Sequence, residues 1–235
     1  MAFEIGFGSV ADTWRKLSFS AVRKTFDRPV TRGLLLVDVL LILLHVGVGI
    51  LSVSEMIPKF PSTLRIDLDW GVGETVNYGK WLFLFGIALV LNSKRREPVF
   101  LGIAVLALIA FLDDSLQLHE YFGDVVAPSL FPTLPRGIGE IMFMAMEGIL
   151  IVLAFGYGWK QSSPLARSWM IPFLVLFAGT LFCGVVIDFL HTHTPGGTRL
   201  EDLMAIMEDG GEMIFLSLMV GYAAGLLRRP PSPEG

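Results

Sequence analysis

Apolar residues fill six stretches of this chain, at about 33–53, 77–93, 98–120, 137–159, 168–191 and 202–227. Each has the length that an α-helix needs to cross the roughly 30 Å hydrocarbon layer of a bilayer. Ahead of them, Val10, Trp14, Leu17 and Ala21 recur at helical spacing, with Arg15, Lys16, Arg23 and Lys24 elsewhere on the wheel. That pattern predicts an amphipathic helix lying on the membrane surface. Proline and glycine punctuate the connections, as in Pro58-Lys-Phe-Pro61 and Pro195-Gly-Gly197. The expectation is an all-α polytopic bundle: an interfacial segment over 1–32, one six-helix transmembrane domain over 33–227 and a short tail over 228–235.

Composition agrees with this reading. The 235 residues are 53% hydrophobic, which an ordinary soluble domain does not reach. The net charge of −4 matters less than its placement. Lys94-Arg95-Arg96, Lys160 with Arg167, Arg228-Arg229 and the basic N-terminal segment fall on alternate connections and both ends. The intervening connections carry Asp67, Asp69, Glu74, Asp124, Glu201 and Asp202. The positive-inside rule then places both termini in the cytoplasm of a bacterial-type inner membrane. The single cysteine, Cys183, excludes an intrachain disulfide and a thiolate metal cage. No cleavable leader is expected, because the first apolar run is already long enough to span.

The candidate chemistry is centred on Leu112 to Glu120, reading Leu-Asp-Asp-Ser-Leu-Gln-Leu-His-Glu, at the end of the third stretch. Helix rise puts Asp113 and Asp114 roughly 23 Å from the cytoplasmic end, and His45 of the first span roughly 18 Å in. Glu140 of the fourth span lies near the outer surface and Glu147 is roughly central, while Asp188 and His191 of the fifth and Glu208, Asp209 and Glu212 of the sixth fall in the outer half. Ionisable groups at hydrocarbon depth cost several kcal/mol unless they face a bundle interior and have partners, so their sorting into one half predicts a shared polar cavity open to the periplasmic side. On a regular helix His119 points away from Asp113, so either the helix end unwinds or His119 serves elsewhere.

Glu208 with Glu212 (i, i+4) and Asp188 with His191 (i, i+3) have the spacing by which di-iron carboxylate bundles hold metal between helices. Imidazole plus carboxylate suits Fe, Mn or Zn. The candidate metal ligands are His45, Asp114, His119, Glu147, Asp188, His191, Glu208 and Glu212, for one or two ions. Asp113 and Glu120 are candidate proton carriers. Asp38 and Glu140 taken singly read as hydrogen-bonding across helices, and Glu201, Asp202 and His193 as interfacial. Lys80 either pairs with a cavity acid or snorkels to the surface. The segment from Ser54 to Thr75 is a lid, a hairpin or a plain connection. Gly210-Gly211 serves close helix packing or a local opening, and the methionines of the fourth and sixth spans are adaptable lining. Four histidines are too few for the membrane desaturases, and the acid-rich last span departs from the three-histidine zinc set of alkaline-ceramidase-type hydrolases.

These features point to a metal-dependent enzyme, hydrolytic or oxidative, acting on a lipid or other membrane-soluble substrate. A cation or proton transporter lined by the same acids is the alternative, and a non-catalytic subunit of a membrane complex the third. Nothing in the sequence indicates nucleic acid as a partner, and it leaves the oligomeric state open.

Overall fold

A computed structural model describes residues 22–57, 60–135 and 137–229. The proposed N-terminal amphipathic helix lies outside the described residues. Among them the chain is all-helical, with no strands. Six long helices run along it: α1 (Arg28–Val53), α2 (Val72–Arg95), α3 (Val99–Leu116), α5 (Ile138–Gln161), α6 (Pro164–Thr192) and α7 (Arg199–Arg228). A shorter helical segment, α4, spans 118–130 and contains a wide π-type turn at Phe122–Val126.

Five of these helices (α1, α3, α5, α6 and α7) are long and apolar enough to cross a membrane. Their outward faces confirm the solvent they need. Leu36, Leu40 and Leu43 on α1, and Ile149, Val152 and Leu153 on α5, are all more than half exposed. Surfaces this apolar are stable against lipid and aggregate in water. This is a multi-pass membrane protein. At 24 residues α2 is as long as α5, and Glu74, Asn77 and Lys80 lower its hydropathy.

Local chemistry sets the helix ends. Asp27 caps α1, its carboxylate accepting from the Val30 N–H at 3.2 Å, with Pro29 in the first turn. This starts α1 five residues before the expected span at 33, and takes 28–32 out of the interfacial segment. Ser163 caps α6 through the Ala166 N–H at 3.2 Å, and Thr198 caps α7 through the Glu201 N–H at 3.2 Å.

The helix at the centre is α7, which packs on α1, α2 and α6, while α3 joins α2 to α5. Leu216, Met219, Val220, Tyr222 and Ala223 of α7 are all within 1% of complete burial. Glycine lets α1 press against it. A Cβ at Gly221 would overlap Thr31 Oγ1, and one at Gly225 would overlap the Thr25 carbonyl oxygen. The Asp27 N–H donates to the Gly221 carbonyl at 3.0 Å across this contact, and Arg228 Nε pairs with Asp27 at 2.7 Å. Backbone cannot swing aside as a side chain can. Gly225→Ala is therefore expected to destabilise the protein by about 1–3 kcal/mol, read as a lower unfolding temperature in detergent; Gly79→Ala, which meets nothing within 4 Å, is the neutral control.

Gly210 and Gly211 serve close packing. α7 runs through them without a break, a Cβ at Gly210 would come 3.1 Å from Ile42 Cδ1, and one at Gly211 would overlap Cys183 Sγ.

Candidate functional site

Every long helix except α1 contributes to one cavity of about 480 Å³. It lies at the end of the bundle opposite Lys94, Arg95 and Lys160. From α3 come Asp113 and Asp114, from α4 His119 and Glu120, and from α5 Glu140 and Glu147. Asp188 enters from α6, and Glu208 and Glu212 from α7. Asp69, just before α2, and Glu74, in its first turn, complete the acidic set. Ten carboxylates and one imidazole thus line a single space, with no lysine or arginine among the lining residues.

The geometry around His119 resolves its awkward position on the helical wheel. α3 ends at Gln117, whose left-handed backbone (φ 52°, ψ 46°) breaks the helix and restarts it as α4. The expected span over 98–120 is therefore interrupted. The turn brings His119 back over Asp113: the His119 N–H donates to Asp113 Oδ1 at 2.9 Å, and its ring Nδ1 lies 2.9 Å from Oδ2. Both Asp113 oxygens thus hold His119, and Asp113 also shares a side-chain hydrogen bond with Glu147. With Nδ1 taken, Nε2 is the nitrogen left for other chemistry; Glu120 is 3.9 Å from it. This is the pattern by which a carboxylate fixes the tautomer of a ligating or basic histidine.

A second such pair joins α6 to α7, with His191 Nδ1 2.7 Å from Glu208 Oε2. His191 does not itself line the cavity, whereas Glu208 does. Asp114 accepts from Trp81 Nε1 at 3.0 Å, and the Tyr78 hydroxyl donates to its carbonyl at 3.2 Å. Glu212 has its seat because residue 184 is glycine: a Cβ there would overlap Glu212 Oε1. Glycine places Glu140 in the same way. Its side chain lies against Gly123, and Gly139 brings α5 within contact of that π-type turn.

Of the expected metal ligands, Asp114, His119, Glu147, Asp188, Glu208 and Glu212 line one cavity. His45 stands apart from it. Its Nδ1 accepts the Ile66 N–H at 3.1 Å and its ring lies 5.1 Å from that of Phe60, so it anchors the connecting segment. Among the described residues, no three His, Cys, Asp or Glu side chains are already grouped as a ligand set. His193 is exposed and bonded to its own helix, its Nδ1 2.7 Å from the Phe189 carbonyl, in keeping with an interfacial residue.

Three lining acids escaped the sequence reading as site residues. Asp69 and Glu74 fall in an expected connecting loop, where they serve only as charges that set orientation. Glu140 taken singly reads as a cross-helix partner. The signal for Glu74 was its position one turn before Asn77 and two before Trp81, both of which line the cavity.

Lys80 neither pairs with a cavity acid nor snorkels. Its Nζ reaches Asp38 Oδ1 at 2.5 Å, Asn77 Oδ1 at 3.0 Å and the Met213 carbonyl at 3.2 Å, with 3% of the residue exposed. Ser217 donates to the other Asp38 oxygen at 2.5 Å. Asp38 does bond across helices, as expected, and Asn77 belongs both to this network and to the cavity wall.

Phe60 to Gly71 fold over the α1–α2 gap as one short turn (Ser62–Leu64) and bends, without strands. Ile66 is 1% exposed and pins the segment against Gly73. Arg65 Nε donates to Asp67 Oδ1 at 3.0 Å, and a second guanidinium nitrogen pairs with Oδ2. Burial alone would raise the Asp67 pKa; the Arg65 hydrogen bonds outweigh it and hold the carboxyl below the usual range. A depressed folded-state pKa contributes stability above the unfolded value of about 3.9, lost as pH falls through the lower folded value. Amide hydrogen exchange over 60–71, corrected for intrinsic rates, is expected to stay slow from pH 7 to about 5 and to accelerate near pH 3. Arg65→Ala should loosen the same amides already at pH 7.

Comparison with known proteins adds a distant likeness. The chain is 32% identical over 104 residues to the "Probable lipid II flippase MurJ" of Thermotoga maritima, a match covering 42% of this chain and 21% of that protein. The match thus spans about a fifth of the length of that relative. No solved structure matches. A family model matches residues 31–226, nearly the whole helical bundle, and the chain belongs to that family, described as Domain of unknown function (DUF8692).

Proposed function

We propose that the protein is a membrane-embedded enzyme whose acidic cavity holds one or two divalent cations, Fe, Mn or Zn, and acts on a lipid or other membrane-soluble substrate. The observation that carries this reading is the lining of ten carboxylates and an imidazole with no basic side chain. Ten acids cannot all be ionised in a partly desolvated space without counter-charge, and bound cations supply it. The donor set also fits: hard oxygen ligands with one imidazole whose Nδ1 is already committed to Asp113. Binding requires carboxylate rotations about existing backbone positions, with Glu147, Asp188, Glu208 and Glu212 on three facing helices best placed to converge. A bound cation would activate water or dioxygen. In that reading Asp113 holds His119 in one tautomer, and Glu120 beside Nε2 carries a proton.

We also place α2 in the membrane, giving six spans with both termini cytoplasmic and the cavity on the periplasmic side. The alternation of basic and acidic connections supports this. The likeness to a probable lipid II flippase accords with a membrane-soluble substrate.

Elemental analysis of the purified protein tests the reading. Stoichiometric Fe, Mn or Zn, lost in Glu208→Gln, is the expected result; a metal-free protein that moves cations in proteoliposomes would instead establish transport. One observation favours that second reading: the Asn77–Lys80–Asp38–Ser217 network extends polar groups inward from the cavity wall.

A further inference from the structure

Two consecutive helices, α5 and α6, are joined by the Ser162–Ser163 turn and then diverge. α5 packs on α3 and on the 118–130 segment, α6 packs on α7, and the two hardly touch one another. The cavity lies in the resulting gap. Its wall there is apolar: Gly148, Ile151 and Val152 on one side, Phe177, Leu181 and Val185 on the other. Three of these reach the outer surface, with Val152 69%, Leu181 47% and Val185 40% exposed. The cavity is therefore open sideways, where the bundle faces hydrocarbon.

Depth matters as much as the opening. Along α5, Glu147 lies between Glu140 and Val152, and along α6, Val185 and Leu181 lie progressively further from the acidic end than Asp188. Helix rise puts Asp188 about 6 Å, Glu147 about 14 Å and Glu212 about 20 Å from the outer ends of their helices, and the apolar slot at about 10–22 Å, so the slot opens into hydrocarbon level with the deeper acids. An amphiphile whose head is drawn down among these acids would leave its chain lying out through the slot into the surrounding hydrocarbon. With one or two divalent cations held, the ten-carboxylate lining still carries a net negative charge, to which a cationic head is complementary. A volume of about 480 Å³ lies in the range of small-molecule sites.

We infer that the gap between α5 and α6 is a lateral portal that admits the single alkyl chain of an amphiphile with a cationic head, the head facing the lining carboxylates that the bound divalent cation leaves unliganded. This inference rests on the cation-binding reading above and names the substrate class it serves.

The test is binding of a radiolabelled sixteen-carbon alkyltrimethylammonium to the whole protein in nanodiscs, with Mn²⁺ binding followed in parallel. Saturable binding is expected, competed by unlabelled compound and not by an alkyl sulfate of equal chain length or by tetramethylammonium. Gly148→Leu adds bulk to the slot at a position where the new Cβ itself meets nothing within 4 Å. It and Val185→Trp are expected to weaken alkylammonium binding about tenfold or more, the equivalent of roughly two methylenes of lost contact. Mn²⁺ binding should be unchanged in both. Unchanged alkylammonium affinity in both variants, or equal competition by the sulfate, overturns the portal while leaving the cation site standing. Loss of Mn²⁺ binding in the wild type with alkylammonium binding intact overturns the cation enzyme and keeps the portal. Efficient disulfide formation between Val152→Cys chains, made in a Cys183→Ala background, would mean that a second copy closes the slot, and would also overturn it.

Discussion

Lys80→Met is expected to lower the unfolding temperature by about 10 °C, from a loss of about 3–5 kcal/mol. The reason is Asp38, which is completely buried and whose two oxygens accept from Lys80 and Ser217. Methionine fills the space of the lysine stem and removes the charge, leaving a carboxylate with one hydroxyl for company and no counter-ion. Breaking a buried pair from one side costs far more than deleting both partners. The double variant Lys80→Met with Asp38→Leu should therefore recover most of the loss. Ser217→Ala alone should cost about 1–2 kcal/mol, one hydrogen bond to a charged group that keeps its ion pair. Cys183 is a built-in reporter: it is the one cysteine of the chain and is buried, so a thiol-reactive dye reads global unfolding directly. Equal melting temperatures for the single and double variants would contradict the ion-pair account.

Glu212→Gln is expected to weaken Mn²⁺ binding by about 100-fold or more, because loss of a direct ligand should exceed the 10–100-fold that loss of an orienting partner costs. Asp113→Asn belongs to the second class and should cost about 10–100-fold, acting through the His119 ring that it holds. Gly184→Val provides a steric test of the same carboxylate. It adds bulk where Glu212 Oε1 now sits, so it should reproduce much of the Glu212→Gln loss without touching a charged residue. Glu201→Gln is the control. Its carboxylate accepts from the Gly197 N–H at the start of α7 and does not line the cavity, so affinity should be unchanged. If Glu201→Gln weakens binding as much as Glu212→Gln, the effect is bulk electrostatics and not coordination.

The helical framework was legible because hydrocarbon length and hydropathy leave few alternatives. Five expected spans reappear as apolar helices, shifted by a few residues at caps such as Asp27 and Ser163. The convergence of Asp114, Glu147, Asp188, Glu208 and Glu212 was legible too, because acids at matching depth have only the bundle interior to turn to. Other features depended on local backbone that periodicity does not encode. Gln117 is not a residue that announces a left-handed turn, and without that turn His119 faces the wrong way. The same limit applied to His45, whose depth matched the cavity while α1 faced elsewhere and its ring was claimed by the Ile66 N–H. Lys80 was misplaced for a different reason: an expected span starting at 77 puts it near the outer end, whereas α2 begins at Val72 and carries Lys80 two turns down, within reach of Asp38.

Equilibrium dialysis of the purified, chelator-treated protein against Mn²⁺ tests the central claim most directly. One or two ions retained per chain with saturable affinity, and none in Glu212→Gln, is the predicted result. Binding that never saturates, or that saturates identically in wild type and Glu212→Gln, would mean that the clustered carboxylates do not form a cation site.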